Sequence, residues 1–177
     1  MVDWEVRNGL VKDRKFALSQ EIKELLENYH IKISIEAMEK VHDGSIWTDK
    51  FRNSKDFNDV SQKIIDTIQG EGIFTYGMWK YFNKQKIRWD HTVPTSVIID
   101  KILRLYDSKS LTFEAFSSIV EDAGFITIIT KEEDDALNGL GLRQKMPDDW
   151  ELNGANNAFA RYDKAGIRIF ENKDLFI

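Results

Sequence analysis

One short segment limits the fold more than any other part of the chain. Residues 125–129 read Phe-Ile-Thr-Ile-Ile, a run of aromatic and β-branched residues that is typical of a short buried strand. Thr130 and Glu133 follow at the spacing of a capping box, which predicts a helix that runs to about Asn138. This segment therefore indicates a fold in which helices pack on a small sheet.

Helical periodicity dominates the rest of the chain. Apolar residues recur at helical spacing, often after a Ser or Thr cap, in residues 19–29, 34–43, 57–69, 75–84, 95–106, 112–123 and 157–164. Residues 87–93 read as a short strand, and residues 167–170 read as another that could pair with 125–129. We therefore expect the α+β class: a helix-rich single domain over residues 1–177, with about seven helices and a small β-sheet.

Composition excludes several classes of function. The chain has no cysteine, which excludes disulfides, thiolate zinc sites, iron–sulfur clusters and a cysteine nucleophile, and which fits the cytoplasm. Charged residues within the first ten positions predict no signal peptide. No apolar run approaches the roughly 20 residues of a membrane span, so we expect no membrane partner. A net charge of −5 argues against general DNA coating, although a local basic patch could still meet a phosphate backbone.

The most suggestive motif lies at the end of predicted strand 87–93, where the chain reads Asp-His-Thr-Val-Pro. A carboxylate can hold a divalent cation while the adjacent imidazole takes a proton from an attacking water. The motif resembles the first half of the HNH, or ββα-metal, nuclease motif. The resemblance implies His91 as the general base and Asp90 as a ligand of Mg²⁺, Mn²⁺ or Zn²⁺. Arg88 is the other candidate catalytic residue.

The second half of that motif would follow strand 125–129. The HNH family has a helix there that supplies Asn and His ligands, and here the helix after the strand offers carboxylates and an amide but no histidine. The candidate ligands that the resemblance implies there are Asp134, Asp135 and Asn138. Two predicted helices separate the two halves, which is more than the usual loop.

Basic residues surround the Asp-His pair. Residues 80–91 hold four Lys or Arg side chains against one acidic side chain, which is the local balance that a phosphate backbone needs. Residues 139–161 mix apolar anchors with further cations, a combination found in functional loops. The candidate nucleic-acid-binding residues are Lys80, Lys84, Lys86, Arg143 and Arg161.

Each of these features also has a structural explanation. His91 can hydrogen-bond at a strand end while Asp90 begins a turn, and the cations can form a solvated face with their stems over Trp79 and Trp89. The loop over residues 139–154 can simply close the core. Residues 131–151 hold seven acids against three cations, which could attract a cation or a basic partner, but acids in a first helical turn also favour the helix dipole.

Three functional hypotheses follow. The first is a metal-dependent phosphodiesterase or nuclease of HNH-like type. The second is a non-enzymatic protein-interaction factor, such as an inhibitor, an immunity protein or a phage or mobile-element accessory protein, which would use an acidic or aromatic patch. The third is DNA binding by the helix pair 75–84 and 95–106, although the glycine-containing turn of such pairs is missing.

Overall fold

The structure is a computed structural model that describes residues 31–71, 76–151 and 157–170. Within them, three short strands form one sheet: β1 (Ile31–Ile33), β2 (Ile87–His91) and β3 (Ile126–Thr130). β3 is central, and it pairs in parallel with β1 and antiparallel with β2. The chain is therefore an α+β domain with helices around a small sheet, as the sequence predicts.

Helices account for most of the described residues. The α-helices in chain order are α1 (Ile35–His42), α2 (Asp49–Arg52), α3 (Phe57–Asp66), α4 (Thr95–Asp107), α5 (Phe113–Ala123), α6 (Lys131–Gly139) and α7 (Ala160–Ala165). A π-helical turn (Thr67–Glu71) and a 3₁₀ helix (Tyr76–Tyr81) connect α3 to β2. The predicted helix at 19–29 and the predicted cap at Thr75 lie outside the described residues.

Side-chain caps explain where several of these helices begin. Thr130 accepts a hydrogen bond from Glu133 N, and the Glu133 carboxylate accepts one from Thr130 N at 2.7 Å, which completes the predicted capping box. Ser34 caps α1, because its hydroxyl accepts a hydrogen bond from Ala37 N. The same hydroxyl donates to the Glu133 carboxylate at 2.6 Å. This buried contact ties the start of α1 to the start of α6.

Both faces of β3 are covered. Ile128 packs into a large cluster that includes Trp47, Phe82 and Ile87, whereas Ile129 packs into a smaller cluster with Tyr162 on the opposite face. A third cluster fills the space between α4 and α5. No helix in the part of the chain that the structure describes is both long and apolar enough to cross a bilayer.

The sheet differs from the prediction in two segments, residues 167–170 and β1. Residues 167–170 do not form a strand beside β3, because β1 and β2 already occupy both of its edges. They run beside β1 instead, where Phe170 N donates to Ile33 O at 2.8 Å and Ile169 makes one bridge with Ser34. β1 itself escaped prediction because three residues are too few to show a period.

Candidate functional site

The predicted Asp-His pair lies at the end of β2. Neighbouring residues of a strand point to opposite faces. Trp89 pairs with Ile128 and packs on the large cluster, whereas Arg88 and Asp90 face α6 and α7. By the same alternation, His91 lies on the Trp89 face. The strand therefore directs Asp90 and His91 to opposite sides of the sheet.

Arg161 of α7 is the main partner of Asp90. Its side chain is 0% exposed, although the sequence predicts a nucleic-acid contact for it. Each of the five guanidinium N–H groups donates to an oxygen. Four of these oxygens are backbone carbonyls and one belongs to a carboxylate. These acceptors are Thr92 O at 2.8 Å, Leu142 O at 3.0 Å, Arg143 O at 3.0 Å, His91 O and the Asp90 carboxylate.

Tyr162 completes this buried network. Its hydroxyl donates to Asp90 Oδ2 at 2.6 Å, so one carboxylate oxygen accepts from both α7 side chains. Burial, reinforced by the negative charge of Asp90, raises the pKa of Tyr162 well above its usual range. These contacts support a structural role for Asp90, and its predicted role as a metal ligand stays a prediction.

A second ionic cluster lies next to the first on the same face of β2. Asp134 in α6 has a side chain that is 8% exposed, and each of its oxygens faces an arginine. Its Oδ2 is 3.4 Å from Arg88 Nε, and its Oδ1 is 3.2 Å from Arg143 Nε. Two guanidiniums around one carboxylate leave a net positive charge at this point.

The four predicted metal ligands have different neighbours. Asp90 pairs with Arg161, Asp134 with two arginines and Asp135 with Lys131, while Asn138 is exposed near the end of α6. In residues 31–71, 76–151 and 157–170, no three His, Asp or Glu side chains converge in a way that could hold a metal ion. The described residues therefore give no support to a divalent-metal site, which stays a prediction.

The main chain brings three separate segments that carry cations together at the edge formed by β2 and α6. Lys131 N donates to Lys86 O at 2.8 Å, Arg88 donates to Lys84 O, and Arg88 shares Asp134 with Arg143. We call this group the basic surface; its members are Lys84, Lys86, Arg88, Lys131 and Arg143. Sequence analysis missed Lys131, although its place directly after β3 and the pairing of β3 with β2 would have brought it here.

Lys80 lies in a different setting from the other predicted nucleic-acid contacts. Its ammonium is 4.8 Å from the centroid of the Tyr81 ring, and it lines a cavity together with Lys50. The structure thus divides the five predicted nucleic-acid contacts. Lys84, Lys86 and Arg143 share one surface, Arg161 is buried, and Lys80 lines the cavity.

Comparisons of the chain with known protein families, with curated proteins and with solved structures find no match.

Proposed function

We propose that the protein binds the phosphate backbone of a nucleic acid through the basic surface. The observation that carries this proposal is the proximity of five cations from residues 84–88, 131 and 143. Asp134 and Asp135 pair with three of these cations, and Asp43 interacts with Lys86 through its charge. Their local balance is positive, whereas the whole chain has a net charge of −5. A positive surface on an acidic protein marks where a polyanion is attracted.

The arrangement of the two arginines supports this use. The Arg143 side chain is 53% exposed and that of Arg88 is 29% exposed, while Asp134 between them is nearly buried. The shared carboxylate orients both guanidiniums, and each planar guanidinium has donors on more than one edge, so a paired arginine can still bind a phosphate. Lys84 and Lys86 are exposed and extend the same surface along the turn before β2.

The expected binding is modest because the surface is small. Contact with three to five phosphates gives a slope of log K against log salt of about −2.7 to −4.5 on a duplex. Hydrolysis of the bound strand by His91 and Asp90 remains a separate hypothesis, since Asp90 contacts Arg161 and Tyr162. The proposal also keeps the cytoplasm as the location, because the chain lacks cysteine.

Fluorescence anisotropy with labelled duplex DNA, single-stranded DNA and RNA, titrated at several salt concentrations, tests the proposal. In the double variant Lys86→Gln/Arg143→Gln, we expect weaker binding and a salt slope that is smaller by about two. The matched control is Lys55→Gln/Lys63→Gln, which removes the same charge from exposed positions elsewhere. If no nucleic acid binds at low salt, or if the control loses as much affinity, the proposal is wrong.

One observation favours the protein-interaction hypothesis as a second candidate. Phe113 is 79% exposed and Tyr106 is 55% exposed, and both lie at the end of the α4–α5 pair where residues 108–112 connect the helices. Large exposed aromatic side chains are enriched at protein interfaces. Affinity capture from source cells by the natural chain and by Phe113→Ser tests this candidate. We expect the natural chain to retain a partner that Phe113→Ser loses. Equal retention by both chains would show that Phe113 does not bind the partner.

A further inference from the structure

A cavity of about 370 Å³ opens between α2, the first turn of α3 and the 3₁₀ helix. Part of its wall is aromatic, because Phe51 and Tyr81 pack with ring centroids 4.3 Å apart, and Phe51 is 5% exposed. The volume falls within the range of small-molecule sites, about 300–1,000 Å³. The cavity can therefore accommodate the apolar body of a small ligand on one side.

Ser54 is another residue that lines the cavity, and its hydroxyl is unusual. Its Oγ is buried, and among the described residues it has no hydrogen-bond partner. A buried hydroxyl without a partner costs free energy, and buried polar groups in proteins are rarely left in this state. Rotation about the Cα–Cβ bond of Ser54 would turn this hydroxyl toward the cavity, where a ligand oxygen would accept its hydrogen bond.

The charges around the cavity favour an anionic group on that ligand. Lys50 and Lys80 both line it and are exposed, and the contact of Lys80 with the Tyr81 ring holds its ammonium beside the aromatic wall. Among the described residues that line the cavity, Asp56 is the one carboxylate, so the cations outnumber it by two to one. The positive charge of both ammonium groups would attract an anionic group, while the apolar body of the ligand lies against Phe51 and Tyr81.

We propose that this cavity binds a small organic anion, a carboxylate or a phosphate ester with an apolar body. The proposal is independent of nucleic-acid binding, since the cavity-lining residues that the structure describes include no member of the basic surface. In this proposal Lys80 contacts a small organic anion, whereas the sequence predicts that it contacts a nucleic acid.

Amide chemical shifts in ¹H–¹⁵N NMR spectra test this site with three probes that share one ring. Benzoate carries a carboxylate, phenyl phosphate carries a phosphate, and benzyl alcohol is neutral. We expect at least one anionic probe to shift amides within residues 48–60 and 80–81, and to bind about fivefold or more tightly than benzyl alcohol. The stronger of the two anions identifies the anionic group.

Two variants make the test specific. Lys50→Gln/Lys80→Gln is expected to weaken anion binding about fivefold, while the matched control Lys101→Gln/Lys164→Gln leaves it unchanged. The proposal is overturned if neither anion shifts these amides, if benzyl alcohol binds as tightly as the anions, or if the Lys50/Lys80 variant binds like the control.

Ser54→Ala separates ligand binding from folding. We expect a threefold or larger loss of anion affinity with a Tm that is unchanged or about 2–4 °C higher, because the variant removes an unpartnered buried hydroxyl. A lower Tm with unchanged anion affinity would assign this hydroxyl to the fold and overturn the proposal.

Discussion

Replacement of Arg161 by methionine tests the structural role of the buried network. Methionine matches much of the length of arginine but removes every guanidinium donor, so Asp90 and four backbone carbonyls lose the hydrogen bonds that they accept from Arg161. Removal of one partner from a buried ion pair costs about 3–5 kcal/mol. The Asp90 side chain is 18% exposed and keeps the Tyr162 hydroxyl, so we expect the lower end, about 3 kcal/mol.

Urea denaturation followed by tryptophan fluorescence, together with thermal melting, measures this cost. For a chain of this size, a loss of about 3 kcal/mol corresponds to a fall in Tm of about 6–12 °C. The matched control is Arg104→Met, at an exposed position on α4, where we expect a change within about 0.5 kcal/mol. Circular dichroism of each variant at low temperature establishes that it folds.

A double variant tests the cause of the loss. Asp90→Asn removes the charge that Arg161→Met leaves without its guanidinium, so the two substitutions together should cost clearly less than the sum of the single costs. A fall in Tm below about 2 °C for Arg161→Met would refute the reasoning. Strict additivity in the double variant would refute it as well, because independent sites add.

Three further predictions concern single positions. Since the pKa of Tyr162 is raised in the folded chain, the unfolded chain loses the hydroxyl proton near pH 10 while the folded chain keeps it. The free energy of unfolding should therefore fall by about 1.4 kcal/mol per pH unit from pH 10 up to the pKa of the folded chain. Melting curves over this range should show a smaller fall for Tyr162→Phe than for the exposed control Tyr106→Phe. Gly166 ends α7 with a φ of 73°, so Gly166→Ala should cost about 1 kcal/mol in urea denaturation, and an unchanged midpoint would contradict this reading. Plasmid nicking with Mg²⁺, Mn²⁺ or Zn²⁺ should show no cleavage by the natural chain or by His91→Ala, because Asp90 is held by Arg161; metal-dependent cleavage that is lost in the variant would instead establish the phosphodiesterase hypothesis.

Local signals made much of the fold predictable. The capping box at Thr130 and Glu133 fixes the boundary between β3 and α6, and both partners of the box lie within four residues of each other. Residues 167–170 show the opposite case. Their alternation is typical of a strand, but strand pairing depends on which edges remain open, and β1 and β2 occupy both edges of β3. Sequence periodicity does not contain that information.

The candidate site was less predictable because its contacts are distant in the sequence. Arg161 meets Asp90 across 71 positions, and a fully buried arginine is an exception to the usual exposure of this residue type. One signal pointed to burial: Arg161 lies among apolar and aromatic neighbours, including Phe159 and Tyr162. The basic surface was predictable in part, since Lys84, Lys86 and Arg88 are close together in sequence, whereas Arg143 is distant in sequence and is linked to Arg88 through Asp134.

The distant reach of Arg161 has a consequence for how the chain is made. During translation, β2 and its carboxylate emerge long before residue 161, so Asp90 can remain hydrated until α7 has been synthesised. β1 likewise has no strand to pair with until β3 has been synthesised, since Ile31 pairs with Ile126. The α4–α5 pair can therefore form early in synthesis, whereas the sheet is complete only after β3 has been made. Such late, non-local closure slows folding and leaves strand edges exposed to other chains during synthesis.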